Sequence, residues 1–223
     1  MKSRQQGFTL IEIAIVLVII GLLLGGVLKG QELITGARVR NLIQQQDGVK
    51  AAYFGFLDRF RALPGDYATA GMTISNISTV ACNSGNGNGD GQISTTNNEN
   101  LLAWEHLSKA GFINGTYTCA GTPTLATSPT NPYGQSLNLV YDADYAGASG
   151  VSRHNLKTGS QIPSDLLGEI DRKVDDGNAL QGAFRAQVNG GVAAPADCYS
   201  TAAPAGVWKA TDVGPNCGGA TTF

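Results

Sequence analysis

The hydrophobic pattern changes character twice along the chain. From Phe8 to Leu28 the residues are almost uniformly apolar, and no charge occurs between Ile13 and Leu28. This run meets the requirement of about 20 apolar residues for a helix that spans a bilayer. A helical pattern then continues without a breaker through Lys29, Gln31, Glu32, Leu33 and Ile34, and no proline appears before Pro64. Beyond residue 31 the pattern turns amphipathic. Val49, Ala52, Tyr53, Phe56, Phe60 and Leu63 recur at threes and fours, the period of one helix face. These features predict one long helix over about 8–62, apolar all round in its first half and one-sided in its second. A coiled-coil seam is the rival for the second half, but three clean heptads are not sustained. Leu63-Pro64-Gly65-Asp66 is expected to end the helix, because proline disfavours helix in the residue before it.

After Pro64 the pattern breaks into short elements. Leu101, Trp104 and Leu107, preceded by Asn98 and followed by Gly111, predict a short helix. Leu137–Tyr141 alternates and predicts a strand. Ile162–Val174, opened by Pro163-Ser164-Asp165, predicts a second short helix with Leu166, Leu167, Ile170 and Val174 inward. Ala183–Val188 predicts another strand and Gly206–Lys209 an edge strand. Several short strands behind a long helix give an α+β fold with an antiparallel sheet.

Charge follows the same divisions. Lys2 and Arg4 make the first seven residues basic, residues 29–63 are net basic at +3, and residues 64–223 are net acidic at −6. An acidic head disfavours binding to nucleic-acid phosphates, and no specific nucleic acid is expected as a partner. The basic leader should stay cytoplasmic, with the head outside the cytoplasm. A cleaved secretory signal peptide is the rival for the leader, but no small-residue cleavage site follows the apolar run. Glu12 is the anomaly, since a carboxylate inside an apolar span costs a few kcal/mol unless it is paired or near the headgroups.

Gly7-Phe8-Thr9-Leu10-Ile11-Glu12, after a basic leader and before an apolar helix, resembles the prepilin signature of type IV pilins and type II secretion pseudopilins. The resemblance is close over residues 1–40 and looser to about 62. It implies a type IV pilin-like fold in which residues 1–7 are a cleaved leader. Residues 8–28 would form the transmembrane and filament-core half of the helix, 29–63 its amphipathic half, and 64–223 a globular head. A prepilin peptidase would cut between Gly7 and Phe8 and methylate Phe8. Glu12 would then meet the Phe8 amine of a neighbouring subunit, a pairing that sets axial register. The implied function is a structural subunit of a helical homo-oligomeric filament, a type IV pilus, built on an inner-membrane assembly platform. A short periplasmic pseudopilus is the alternative, and a single-pass anchored binding protein that never polymerises is a third. Many major pilins carry a proline partway down this helix, and here Gly25-Gly26 and Gly30 stand instead.

The head holds one candidate cation loop. Asn86, Asn88 and Asp90 alternate, Gly91 follows, and Gln92 and Glu99 lie beyond. The spacing resembles a calcium loop with oxygen ligands at 1, 3 and 5 and glycine at 6. The bland alternative is a solvated Asn/Gly turn. Asp171, Asp175 and Asp176 form a second, weaker candidate. The four cysteines all lie in the head, and an even number outside the cytoplasm reads as two disulfides. Loop closure favours neighbours among the three pairings, giving Cys82–Cys119 and Cys198–Cys217. Zinc is the rival, but no C-x-x-C spacing occurs. His106 and His154 are the only histidines and belong to no hydrolase, metalloprotease or phosphate-loop pattern, so no enzyme is expected.

Overall fold

The computed structural model describes residues 9–78, 82–122, 124 and 126–223. Helix α1 runs over Leu10–Phe60. The chain divides into two compact units, Met1–Arg38 and Val39–Phe223. Within the first, every leucine, isoleucine and valine from Leu10 to Leu28 is exposed, up to 88% at Leu10. No face is distinguished from another, as expected of a segment that is apolar all round.

The second unit is an α+β head built on the remainder of α1. Besides that helix it contains α2 (Ala70–Thr73), α3 (Glu99–Lys109), α4 (Ser164–Val174) and α5 (Pro195–Cys198). Its strands are β1 (Asn138–Asp142), β2 (Arg153–Lys157), β3 (Phe184–Ala186) and β4 (Gly219–Thr222). The sheet is antiparallel throughout, in the order β1-β2-β4-β3. The C-terminal strand is therefore central, and Thr221 lies opposite both Leu156 and Phe184.

The helix stripe organises the core. Val39, Leu42, Gln46, Val49, Tyr53 and Phe56 are buried at helical spacing. Val39 and Leu42 pack with Ile162, Leu167, Ile170, Phe184 and Trp208. Val49, Ala52, Tyr53 and Phe56 pack with Ile93, Trp104, Leu107, Leu139 and Leu156. The one polar residue in the stripe is accommodated by the sheet, because the Thr221 hydroxyl donates to Gln46 Oε1 at 2.9 Å. Burying each such apolar side chain contributes about 1.5–3 kcal/mol. The close fit also dictates a glycine: a Cβ at Gly219 would lie 2.2 Å from the Phe184 ring.

Several local expectations need correction. The helix ends before its proline, because Arg61 adopts φ 55° in the left-handed region. Gly206–Lys209 is not an edge strand, since Val207 bridges Asn178 and Trp208 bridges Tyr199 as isolated pairs. Trp208 instead turns inward, against Gly168 of α4, and donates its Nε1 hydrogen to Asp171 Oδ2 at 2.7 Å. The second strand is shorter than expected, Phe184–Ala186. β2 and β4 carry no apolar alternation and escape a reading by pattern.

Two disulfides pin the loops of the head, Cys82–Cys119 with Cα atoms 6.0 Å apart and Cys198–Cys217 at 5.8 Å. His106 is buried and joins two further segments. The Gly65 N–H donates to its Nδ1 at 3.0 Å, and its Nε2 lies 3.0 Å from the Gly85 carbonyl oxygen. Burial pushes the imidazole down to about 4, partly opposed by that carbonyl. Burial pushes the Asp171 carboxyl the other way, up to about 6, against the N–H groups of Trp208 and Gly177.

These two groups give opposite pH dependences. His106 is neutral in the fold and ordinary in the unfolded chain. Its contribution is complete above about pH 6.5 and is lost as pH falls towards 4, about 3 kcal/mol for a shift of this size. Asp171 holds its proton more tightly when folded, so its contribution is complete below about pH 3.8 and is lost as pH rises through about 6. Between these limits the slopes oppose each other. Asp171→Asn keeps an acceptor for Trp208 and removes the falling slope, so its melting temperature should climb with pH from 4 to 6.5 more steeply than that of the parent chain. Parallel curves for the two proteins would rule out titration of Asp171 in this range.

Candidate functional site

The start of α1 is closed by a reciprocal cap. Thr9 donates its backbone N–H and its hydroxyl to Glu12 Oε2, both at 2.8 Å, and the Glu12 N–H donates to Thr9 Oγ1 at 3.3 Å. Thr-x-x-Glu is the capping-box spacing, in which side chains satisfy N–H groups that the first helical turn leaves orphaned. Glu12 is thus drawn towards the helix start while the apolar band begins around it. Gly7 and Phe8 lie outside the described residues. An uninterrupted apolar band of this length is not stable in water and calls for lipid or other apolar helices around it.

The acidic loop is built from both sides of the head's first crossover. Gly65 adopts φ +91°, and a Cβ there would lie 2.2 Å from the Glu99 carbonyl oxygen, so the chain can turn closely past the start of α3 only with glycine. That turn buries Asp66. Its Oδ1 accepts the N–H groups of Gly89 at 2.6 Å and Asp90 at 3.0 Å, and its Oδ2 accepts the Gly91 N–H at 2.8 Å. Glu99, the first residue of α3, accepts the Asn88 N–H at 3.0 Å through Oε1 and the Ser94 N–H at 2.9 Å through Oε2. Asp66, Asp90 and Glu99 each present a carboxylate oxygen within 4.8 Å of the others. Burial raises the affinity of Glu99 for its proton, and the negative charges of Asp66 and Asp90 act in the same direction. Two N–H donors, those of Ser94 and Asn88, oppose that rise.

The structure therefore brings Asp90 and Glu99 together and adds Asp66. Asn86 is turned elsewhere, its Oδ1 accepting the Gly71 N–H at 2.9 Å. Asn88 Oδ1 accepts the Asp90 N–H at 2.9 Å, and Asp90 Oδ1 accepts the Gln92 N–H at 2.8 Å, two local Asx turns. Gln92 joins the loop through that N–H. Asp66 lies twenty positions upstream of Asn86, the first residue of the loop. The only signal for it was its place directly after Pro64-Gly65, a turn whose destination the sequence does not state. The residues able to hold a hard cation here are Asp66, Asp90 and Glu99, through oxygen. In the second acidic group, Asp171 accepts from Trp208, and Asp175 Oδ2 accepts the Ala183 and Phe184 N–H groups, so these carboxylates fasten the segment after α4 to β3.

The hydrogen bonds of Asp66 should hold the loop. Asp66→Ala removes three charge-assisted bonds and should cost about 3 kcal/mol or more in chemical denaturation. Amide exchange at Gly89, Asp90 and Gly91 should accelerate at least about tenfold. Asp66→Asn, which keeps one acceptor oxygen, should fall between. Unchanged exchange in the alanine variant would show that other contacts fix the loop.

Residues 2–28 match a family model described as the prokaryotic N-terminal methylation motif. No curated protein matches the chain, and no solved structure matches it. The match covers the basic leader, the Gly7-Phe8 junction, Glu12 and the apolar band, and the rest of the chain folds as a pilin-like α+β head behind them. The chain thus carries at its start the N-terminal methylation motif, the motif of type IV prepilins and pseudopilins.

Proposed function

We propose that the chain is a structural subunit of a type IV pilus. The observation that carries this reading is the wholly exposed apolar band of α1, with Glu12 near its start. In the precursor the band sits in the inner membrane, with Lys2 and Arg4 cytoplasmic and the head in the periplasm. A prepilin peptidase cuts between Gly7 and Phe8 and methylates the new N-terminus. An inner-membrane platform then moves the subunit into a fibre that is displayed outside the cell, where the same apolar band packs against copies of itself. The new Phe8 amine is the natural counter-charge for a carboxylate in that apolar interior, and opposite charges there fix the axial stagger of neighbouring subunits. The role is assembly and display, without catalysis.

A second reading, a type II secretion pseudopilin in a short periplasmic filament, draws support from the Asp66–Asp90–Glu99 cluster, because the resemblance to that family extends to calcium-binding acidic loops. In that reading the cluster takes calcium. Calorimetric titration of the protein in detergent should then show calcium binding that Asp90→Ala abolishes, and a flat titration would remove the cation from the proposal.

Sheared surface filaments decide between the readings. Under the first, the N-terminal peptide begins at methylated Phe8 and the protein is abundant in the sheared fraction. Methylated Phe8 confined to the membrane fraction would favour the pseudopilin. Glu12→Ala should abolish filaments while leaving the protein in the membrane. Filaments of normal yield in that variant, or a chain still beginning at Met1, would overturn assembly through this helix and leave an anchored binding protein.

A further inference from the structure

The outer face of the sheet is polar, yet much of it is buried. Alternate residues of β1 and β2 place Asp142, Asn155 and Lys157 on the face opposite Leu139 and Leu156. A cleft of about 390 Å³ opens beside them. This falls within the range of small-molecule sites, about 300–1,000 Å³. Neither the acidic loop nor α1 contributes a carboxylate or an apolar residue of the assembly band to it.

Its floor is a fixed charge cluster. The Lys157 side chain is only 5% exposed, and its ammonium lies 2.5 Å from Asp142 Oδ2 and 3.7 Å from Asp144 Oδ2. Each carboxylate is itself held: Asn155 Nδ2 donates to Asp142 Oδ1 at 3.0 Å, and Asn189 Nδ2 donates to Asp144 Oδ1 at 2.7 Å. Buried polar groups held in this way need no rearrangement when a ligand arrives. The walls differ from the floor. The side chains of Gln135, Ser136 and Ser160 make no hydrogen bond to other described residues. Each can both donate and accept. Leu101 and Leu137 back the cleft from within the core, 3% and 2% exposed.

We propose that this cleft binds a neutral sugar residue. The charges select against an anionic ligand. An anion would face two carboxylates set against a single ammonium, whereas a neutral hydroxyl group can accept from Lys157 and donate to Asp144. Sugar hydroxyls carry the same dual capacity as the three uncommitted wall side chains. The proposal is independent of whether the filament is a pilus or a pseudopilus.

The test is saturation-transfer NMR on the full chain in a detergent without a sugar headgroup. The probes are the methyl glycosides of glucose, galactose, mannose and N-acetylglucosamine, with methyl glucuronide as the charged control. At least one neutral glycoside should receive saturation, and the glucuronide should not. Ser160→Phe, which fills the cleft from a half-buried position, should abolish the effect without lowering the melting temperature. Gln135→Ala, a smaller change that keeps the result interpretable if the first variant folds poorly, should weaken binding about fivefold, as expected for one lost hydrogen bond. Absence of transfer to every neutral glycoside would overturn the proposal. So would transfer that survives unchanged in a folded Ser160→Phe protein, or equal transfer to the glucuronide.

Discussion

Between Leu10 and Leu28 the helix shows water an apolar surface on every side, and burying each of those side chains elsewhere is worth about 1.5–3 kcal/mol. The head's own core is built with the helix residues from Val39 onward. The segment is therefore committed to a surrounding of other apolar matter, lipid or further helices of the same kind. This constraint changes what the carboxylate of Glu12 requires. In water it would be an ordinary helix cap, and in an apolar interior it demands a cation or near-complete hydrogen bonding. The capping contacts with Thr9 partly meet that demand before any partner arrives.

The head follows from the other half of the same helix. The stripe from Val39 to Phe56 brings together elements far apart in sequence, and the two larger apolar clusters are organised around it. The placing of β4 in the middle of the sheet closes the arrangement, since the last residues of the chain pair on both edges and Thr221 reaches back to Gln46. With the C-terminus as the central strand, the Cys198–Cys217 bridge fastens the segment that delivers it.

The loops of the head use charge in place of apolar contact. Asp66 and Asp171 accept backbone or indole N–H groups from segments distant in sequence, and Glu99 and Asp175 accept backbone N–H groups from the neighbouring loop or strand. In a unit so rich in glycine and asparagine, few side chains are available to pack between loops. A buried carboxylate that gathers several N–H donors can fix a loop that has no core of its own. The cost is a raised proton affinity where burial outweighs the donors, as at Asp171 and Glu99.

The sequence by itself determined whatever depends on short-range period and local chemistry. The long helix, its change from all-round apolar to one-sided, α3, α4, β1 and the motif Gly7–Glu12 all rest on patterns that a few neighbouring residues carry. What only the tertiary structure decided is whatever depends on a partner distant along the chain. β2, with Leu156 as its single large apolar residue, and β4, which is glycine, alanine and threonine, become strands because neighbours supply their hydrogen bonds and cover both faces. Asp66 joins Asp90 and Glu99 because the Pro64-Gly65 turn passes the start of α3, a meeting that no local spacing encodes. The helix ends at a left-handed Arg61 ahead of its proline, and Trp208 turns inward to Asp171 where an edge strand was expected. In each case side-chain periodicity records which face is buried, but it holds no record of what that face, or a lone carboxylate, will meet.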